Sequence, residues 1–278
     1  MRPPAGAGRC VVTTGANSGI GLASAVAIAR EGFRSVATVR SADKADAVHR
    51  AADVAGVAVE TAILDVTDPG GCEAVITRYR PFGLVNNAGI NTIAACEDTD
   101  DDMARAQFEI NAIAPMRLAR LAVPHMRSAG AGRIVNVTSN AGRVTLPLIG
   151  CYQAAKHAIE ASSAALRVEV AADGIKVSCV APGGVDTAIY QKGFWVDEDS
   201  FAGSRYGPAY RRLRMVMMNV GRRQTTSEAV AAVVLEALTA TRPRARYLVG
   251  ADAYALVASQ TLLPELMRDR VQRLVFGL

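Results

Sequence analysis

Seven short apolar runs, separated by stretches of helical spacing, constrain this chain more than any other feature of its sequence. CVVTT, SVATV, VAVETAIL, GLVNN, RIVNVTS, KVSCVAP and ARYLVG have the length and residue content of strands. ASAVAIAR, DKADAVHRAA, GGCEAVITRY, the run Asp102–Met126, the run Tyr152–Ala172 and SEAVAAVVLEALT lie between them and suit helices. That alternation predicts an α/β chain with a mostly parallel, seven-stranded sheet covered on both faces by helices. No repeat, low-complexity tract or Pro/Gly linker divides it, so residues 1–278 read as a single domain.

Two regions depart from the rhythm. Between Thr187 and about residue 225 strands give way to Tyr190, Phe194, Trp195, Phe201, Tyr206 and Tyr210, followed by Met215, Met217 and Met218. An insertion of this length after a strand reads as a substrate lid, and a packed subdomain or an oligomer contact would use the same residues. The tail from Ala253 to Leu278 reads as two helices broken at Pro264. It has three uses open to it: covering the domain, the active site or a neighbouring subunit.

Composition excludes several classes. The chain is 50% hydrophobic and 21% charged, which fits a folded core rather than a disordered polymer. A net charge of +5 without a dense basic stripe gives no sign of nucleic-acid binding. The five cysteines (Cys10, Cys72, Cys96, Cys151, Cys179) are scattered without ligand spacing, so neither a metal site nor a disulfide framework is expected. MRPPAGAGRC has no apolar signal core, and no uncharged run approaches the ~20 residues of a transmembrane helix, so the chain reads as cytoplasmic.

At the first strand–helix junction stands Thr14-Gly15-Ala16-Asn17-Ser18-Gly19-Ile20-Gly21. Glycines there permit a tight turn and let backbone N–H groups approach a pyrophosphate at the positive end of a helix. A plain strand–helix turn also uses glycine; the position in an alternating chain is what points to a dinucleotide. The second strand then ends in Arg40, where an NAD site carries a carboxylate for the ribose hydroxyls. A guanidinium grips a 2′-phosphate instead, with Ser41 and Lys44 at hand. NADP(H) is therefore the expected cofactor, with NAD(H) as a possible substitute.

In an open parallel sheet, ligands bind beyond the carboxyl ends of the strands. Those ends here carry Asp65-Val66, Asn86-Asn87-Ala88-Gly89, Thr138-Ser139-Asn140 and Pro182-Gly183-Gly184-Val185-Asp186-Thr187. Tyr152 and Lys156, four apart on a helix, share a face. A phenol has a pKa of about 10 and a neighbouring ammonium favours its phenolate, so the pair makes an acid/base usable near neutrality. Ser139 can donate to a substrate oxygen. Alone, a Tyr-x-x-x-Lys pair is usually a helix surface pair.

The joint pattern resembles the short-chain dehydrogenase/reductase family from Arg9 to about Gly250: TGxxxGIG at Thr14–Gly21, NNAG at Asn86–Gly89, then Asn111, Ser139, YxxxK at Tyr152–Lys156, and Pro182, Gly183 and Thr187. The resemblance implies a doubly wound Rossmann fold. It implies Tyr152 as proton donor in reduction, Lys156 lowering its pKa and holding the nicotinamide ribose, Ser139 orienting the carbonyl, and Asn111 anchoring a water that links Lys156 to solvent. For the cofactor it implies Gly15, Asn17, Ser18, Gly19, Ile20 and Gly21 at the phosphates and Arg40 at the NADP-selecting position. Asp65 and Val66 would contact the adenine, Asn87, Ala88 and Gly89 its ribose side, and Val185 and Thr187 the carboxamide, with Tyr152, Lys156, Pro182 and Gly183 completing the cofactor-binding set.

Three features depart from the family's pattern. The run Arg80–Val85 into NNAG is short, which predicts a trimmed fourth strand or preceding helix. Ala155 stands where a Ser is common, and the tail is long. The tail, the lid and Arg40 together resemble the branch that includes steroid and retinoid dehydrogenases. The expectation is hydride transfer between NADP(H) and a lipophilic carbonyl or secondary alcohol, in a homodimer or homotetramer built on Asp102–Met126 and Tyr152–Ala172. The rival from another class is a catalytically silent NADP-binding sensor, and a lyase or epimerase on the same fold has little room for its larger substrate domain.

Overall fold

The computed structural model describes residues 6, 8–186, 203–220 and 225–278, of which 216–220 are described by their backbone alone. Thr187 and the aromatic residues Tyr190, Phe194, Trp195 and Phe201 lie outside the described residues.

Seven strands form one sheet: β1 (Cys10–Thr13), β2 (Arg34–Val39), β3 (Val59–Ile63), β4 (Gly83–Asn86), β5 (Gly132–Val137), β6 (Ile175–Pro182) and β7 (Arg246–Val249). Their order is β3-β2-β1-β4-β5-β6-β7, and every pairing is parallel. The expected mostly parallel sheet is thus wholly parallel. Val11 and Val12 show why the strand runs are apolar without alternation. Both are fully buried, and being adjacent they point to opposite faces. Val12 packs with Ile76, Leu118, Met126 and Ile134; Val11 packs with Ile28, Val85, Val234 and Leu238. Each face therefore has its own helical layer.

The helices are α1 (Gly19–Arg30), α2 (Ala42–Ala55), α3 (Pro69–Tyr79), α4 (Asp101–Phe108), α5 (Ala114–Ser128), α6 (Gly150–Glu169), α7 (Gly207–Val220), α8 (Ser227–Thr239), α9 (Ala251–Leu262) and α10 (Glu265–Phe276). The short approach to β4 leaves a four-residue strand directly after α3, whose last turn ends on Arg80 in the left-handed region. The run expected as one helix from Asp102 to Met126 is interrupted. Between α4 and α5 lies a π turn, Glu109–Ile113, in which Ala114 N donates to Glu109 O. Pro115 has no N–H to return to the Asn111 carbonyl four residues back, which favours the wider turn there. Asn111 sits in that turn, beside the sheet's carboxyl rim.

β1 lies between β2 and β4. Chain connections run outward in both directions from it, opening a crevice at the strand ends. A smaller apolar cluster, with Ile93, Leu148, Tyr210, Leu213 and Phe276, ties α7 and α10 to the same rim.

Candidate active site

The rim begins at the glycine turn. Gly15 and Gly19 adopt φ of 63° and 53°, a region that side chains disfavour. A Cβ on Gly15 would stand 2.9 Å from Ala88 Cα, so the turn can press against the Asn86–Gly89 segment only as glycine. That segment clasps it: Asn87 N and Ala88 N each donate to Thr14 Oγ1 at 3.0 Å, and Asn87 Nδ2 donates to Thr14 O and Gly15 O. Ala16 N donates to Thr38 O at 3.0 Å, fixing the turn to the end of β2. Ser18 is the N-cap of α1 with its hydroxyl making no cap hydrogen bond, which leaves the helix's first N–H groups facing the crevice. Asn17 precedes it in the same turn. This cradle fits a pyrophosphate.

Arg40 follows β2 and is exposed; Asp65 and Val66 follow β3 beside it. Hydrogen bonds from Thr67 N and Oγ1 hold the Asp65 carboxyl below the usual range, and Arg40 adds to this electrostatically. Val66 is bound through its carbonyl by Arg117 Nη1 at 3.0 Å.

The polar centre lies beyond β4, β5 and β6. Asn111 Nδ2 donates to Ile90 O and Gln107 Oε1, both at 2.9 Å, while its Oδ1 accepts from Ile90 N. A Cβ on Gly89 would stand 2.9 Å from that Oδ1. Ser139 caps the short turn Asn140–Gly142: its Oγ accepts from Ala141 N and donates to Asn140 Oδ1, each at 3.1 Å. Lys156 is buried, with Nζ donating to Val137 O at 3.3 Å and lying 5.7 Å from the centroid of the Tyr152 ring.

Burial pushes Lys156 down from the usual 10.5 to about 8, against the pull of the nearby Glu160 carboxylate. The sign gives a prediction. Between pH 8 and 10.5 the unfolded chain binds more protons at this site than the native one, so wild-type stability should rise with pH across that window. Lys156→Met should remove this slope. Near neutral pH, without cofactor, it should stabilise the fold by about 2 kcal/mol, the gain from burial exceeding the lost hydrogen bond. Urea titrations of both proteins across that pH range check it.

Glu160 is one turn past Lys156 and nearly fully buried. It accepts from Thr138 Oγ1 and from Arg246 Nε, both at 2.7 Å. Neither Glu160 nor Arg246 belongs to the sequence motifs. The i+4 spacing from Lys156 was the available signal for Glu160, whereas Arg246 arrives from β7, 86 residues away.

After β6, Asp252 of α9 accepts from Gly184 N at 2.6 Å, and its carboxylate occupies the space a Cβ on Gly183 would need. Val185 pairs with Thr225 in an isolated parallel bridge.

A cavity of about 450 Å³ joins these parts. Ile20, Asn87, Gly89, Asn111, Ser139, Tyr152, Lys156, Pro182, Gly183 and Val185 all line it. Gly15, Asn17, Ser18, Gly19, Gly21, Arg40, Asp65, Val66 and Ala88 do not; they lie on the turn and strand ends beside it. The opposite wall is apolar, built from Val144, Leu146, Ile149 and Leu213, then from Leu256 and Leu263 of the α9 segment and Val275 and Phe276 of α10. The tail therefore lines this chain's own cavity, which no motif announced. Tyr206 and Tyr210 do not line it. They bond Glu97 and Asp98 and hold α7 to the rim. Among the described residues no group of three or more His, Cys, Asp or Glu is placed to hold a metal ion.

A sequence model described as short chain dehydrogenase matches residues 9–194. The chain belongs to this family. Short-chain dehydrogenases are NAD(P)-dependent oxidoreductases, and the wholly parallel sheet is their Rossmann fold. Across 269 residues the chain is 29% identical to a probable short-chain type dehydrogenase/reductase, VdlC, of Helicobacter pylori, covering 95% of this chain and 96% of that one. It is also 29% identical over 274 residues to the NADPH-dependent 3-dehydrocapnine reductase of Ornithobacterium rhinotracheale, with 95% of each chain covered. A crystal structure of a short-chain dehydrogenase from Streptomyces avermitilis superposes with a TM-score of 0.77 at 29% identity, covering 97% of this chain and 96% of that one.

Proposed function

We propose that this short-chain dehydrogenase prefers NADP(H) and interconverts a lipophilic ketone or aldehyde with its alcohol, with Tyr152 carrying the proton. The observation that carries this reading is the shared cavity: Ser139, Tyr152 and Lys156 at one wall face an apolar wall across it. When bound, the nicotinamide supplies or accepts the hydride. The glycine turn and the Ser18 end of α1 would hold its pyrophosphate, Pro182, Gly183, Val185 and Thr187 its carboxamide side, and Arg40 the 2′-phosphate of the adenosine half.

The remaining chemistry belongs to the chain. Tyr152 donates a proton to the substrate oxygen as negative charge develops there, and Ser139 turns its hydroxyl from Asn140 to donate to the same oxygen. Lys156 biases the phenol toward its anion. With its own pKa lowered to about 8, it gives up a proton readily enough to restore that of Tyr152. Asn111 anchors a water on the route from Lys156 to solvent. A silent sensor would need neither this polar wall nor the apolar one opposite. We place the self-association surface of a homodimer or homotetramer on α4, the π turn, α5 and α6, where Ile113, Met116 and Val168 are exposed.

The experiment is loss of NADPH absorbance over a panel of apolar ketones and aldehydes, for wild type and Arg40→Asp. Wild type should turn over several of them and prefer NADPH. The variant should raise KM for NADPH about 10–100-fold, the value of a charge-assisted pair to phosphate, and keep its KM for NADH. Silence across every carbonyl class would refute the reductase reading, and an unchanged cofactor ratio would refute Arg40 as selector.

A further inference from the structure

Most of the apolar side chains of α10 are exposed. In α10, Met267, Val271, Leu274 and Val275 recur at helical spacing on one face and are 54, 51, 78 and 44% exposed. Phe276 is the buried residue of this helix. Leu262 and Leu266, on either side of the Pro264 turn, extend the exposed surface. A soluble surface does not ordinarily leave so contiguous an apolar stripe facing water.

Cations border it. On a helical wheel, exposed Arg270 lies on one side of the stripe and half-buried Arg268, whose Nη1 donates to Gln260 O at 2.7 Å, on the other, while Glu265, Asp269 and Arg273 fall on the opposite face. At the far end, Arg212 of α7 donates to Leu274 O at 3.3 Å, adding a third cation beside the stripe. Arginines can lay their stems along apolar surface and lift their heads to phosphate, so this border suits anionic headgroups over an acyl layer. A second copy docked here about a two-fold axis would oppose the same arginines to one another.

The stripe is also continuous with the cavity. Val271, Val275 and Leu263 are exposed yet line it, as does Arg268. We infer that α10 and the Pro264 turn seat the protein on the surface of an anionic bilayer, with the cavity mouth turned to the lipid. No helix among the described residues is long and apolar enough to cross the membrane, so α10 would lie in its interface. A lipophilic substrate then passes from acyl chains to cavity without entering water. That passage rests on the carbonyl-reductase reading; the seating does not.

The test is co-sedimentation of the full chain with phosphatidylglycerol–phosphatidylcholine vesicles and with phosphatidylcholine alone. Wild type should bind the anionic vesicles, and added salt should weaken the binding. M267E/L274E should lose more than about tenfold in partition and R270E about fivefold. Neither variant touches the cavity lining, so both should keep wild-type turnover of a small water-soluble ketone. NADPH binding reports whether each is folded, and the salt dependence of wild type stands even where one is not. Wild type left in the supernatant overturns the inference, as do variants that bind like wild type. Absence of vesicle binding, with a wild-type dimer that M267E/L274E dissociates, would assign the face to a second copy and also overturn it. Vesicle binding by a protein that reduces no carbonyl would instead refute the reductase reading alone.

Discussion

Tyr152→Phe should lower kcat by about 10³-fold while leaving the Kd for NADPH within about twofold of wild type, because positioned proton transfer is worth 10²–10⁴ and the hydroxyl is one of many expected cofactor contacts along the rim. The ring stays, so its packing over Lys156 stays with it. The chemistry then has only Ser139 to stabilise the developing alkoxide, with no acid to complete the step. Single-turnover kinetics with saturating NADPH, alongside a fluorescence titration of the cofactor, separate the two effects. Turnover within tenfold of wild type would remove Tyr152 from the proton-carrying role.

Arg246→Ala should be the most damaging change away from the cavity. Its guanidinium is the cationic partner of Glu160, whose side chain is 5% exposed, whereas that of Arg246 is 32% exposed. Truncation leaves a buried carboxylate with only the Thr138 hydroxyl and the field of Lys156, one turn away. Breaking a buried pair costs about 3–5 kcal/mol, and the solvent reaching Arg246 brings the expectation to about 2–3 kcal/mol. For a chain of this size that lowers Tm by roughly 4–12 °C. Glu160→Gln in the same background should recover more than half of the loss, since it removes the stranded charge while keeping an acceptor for Thr138. Calorimetry on the two singles and the double closes the cycle. A loss below about 0.5 kcal/mol in Arg246→Ala would show the pair to be ordinary surface.

The sheet was legible because its signal is local. Val11-Val12, Leu84-Val85 and Ile134-Val135 are buried on both faces, so each strand reads as an unbroken apolar run without knowledge of its neighbours. The cluster of Ser139, Tyr152 and Lys156 was legible for a different reason: it lies at strand and helix ends that the alternation already assigns to one rim. What escaped depends on contacts between distant segments. The π turn at Glu109–Ile113 adds one residue per turn inside an otherwise regular helical pattern, and periodicity does not resolve so small a change. The Glu160–Arg246 pair joins α6 to β7, and neither residue has a neighbour in sequence that announces the other. The tail has an amphipathic pattern that a core, a cavity or a membrane would satisfy equally, so its place over the cavity was beyond the reach of spacing.

That placement divides the molecule's inheritance. The groups expected to handle nucleotide and proton come from strand ends, the π turn and α6, between Thr14 and Thr187, whereas a large share of the wall facing them comes from residues 251–278. Substitutions among residues 253–278 can therefore alter which molecules are accepted while Asp252 keeps its hold on the turn after β6. A lineage built this way can diversify its diet while conserving its engine.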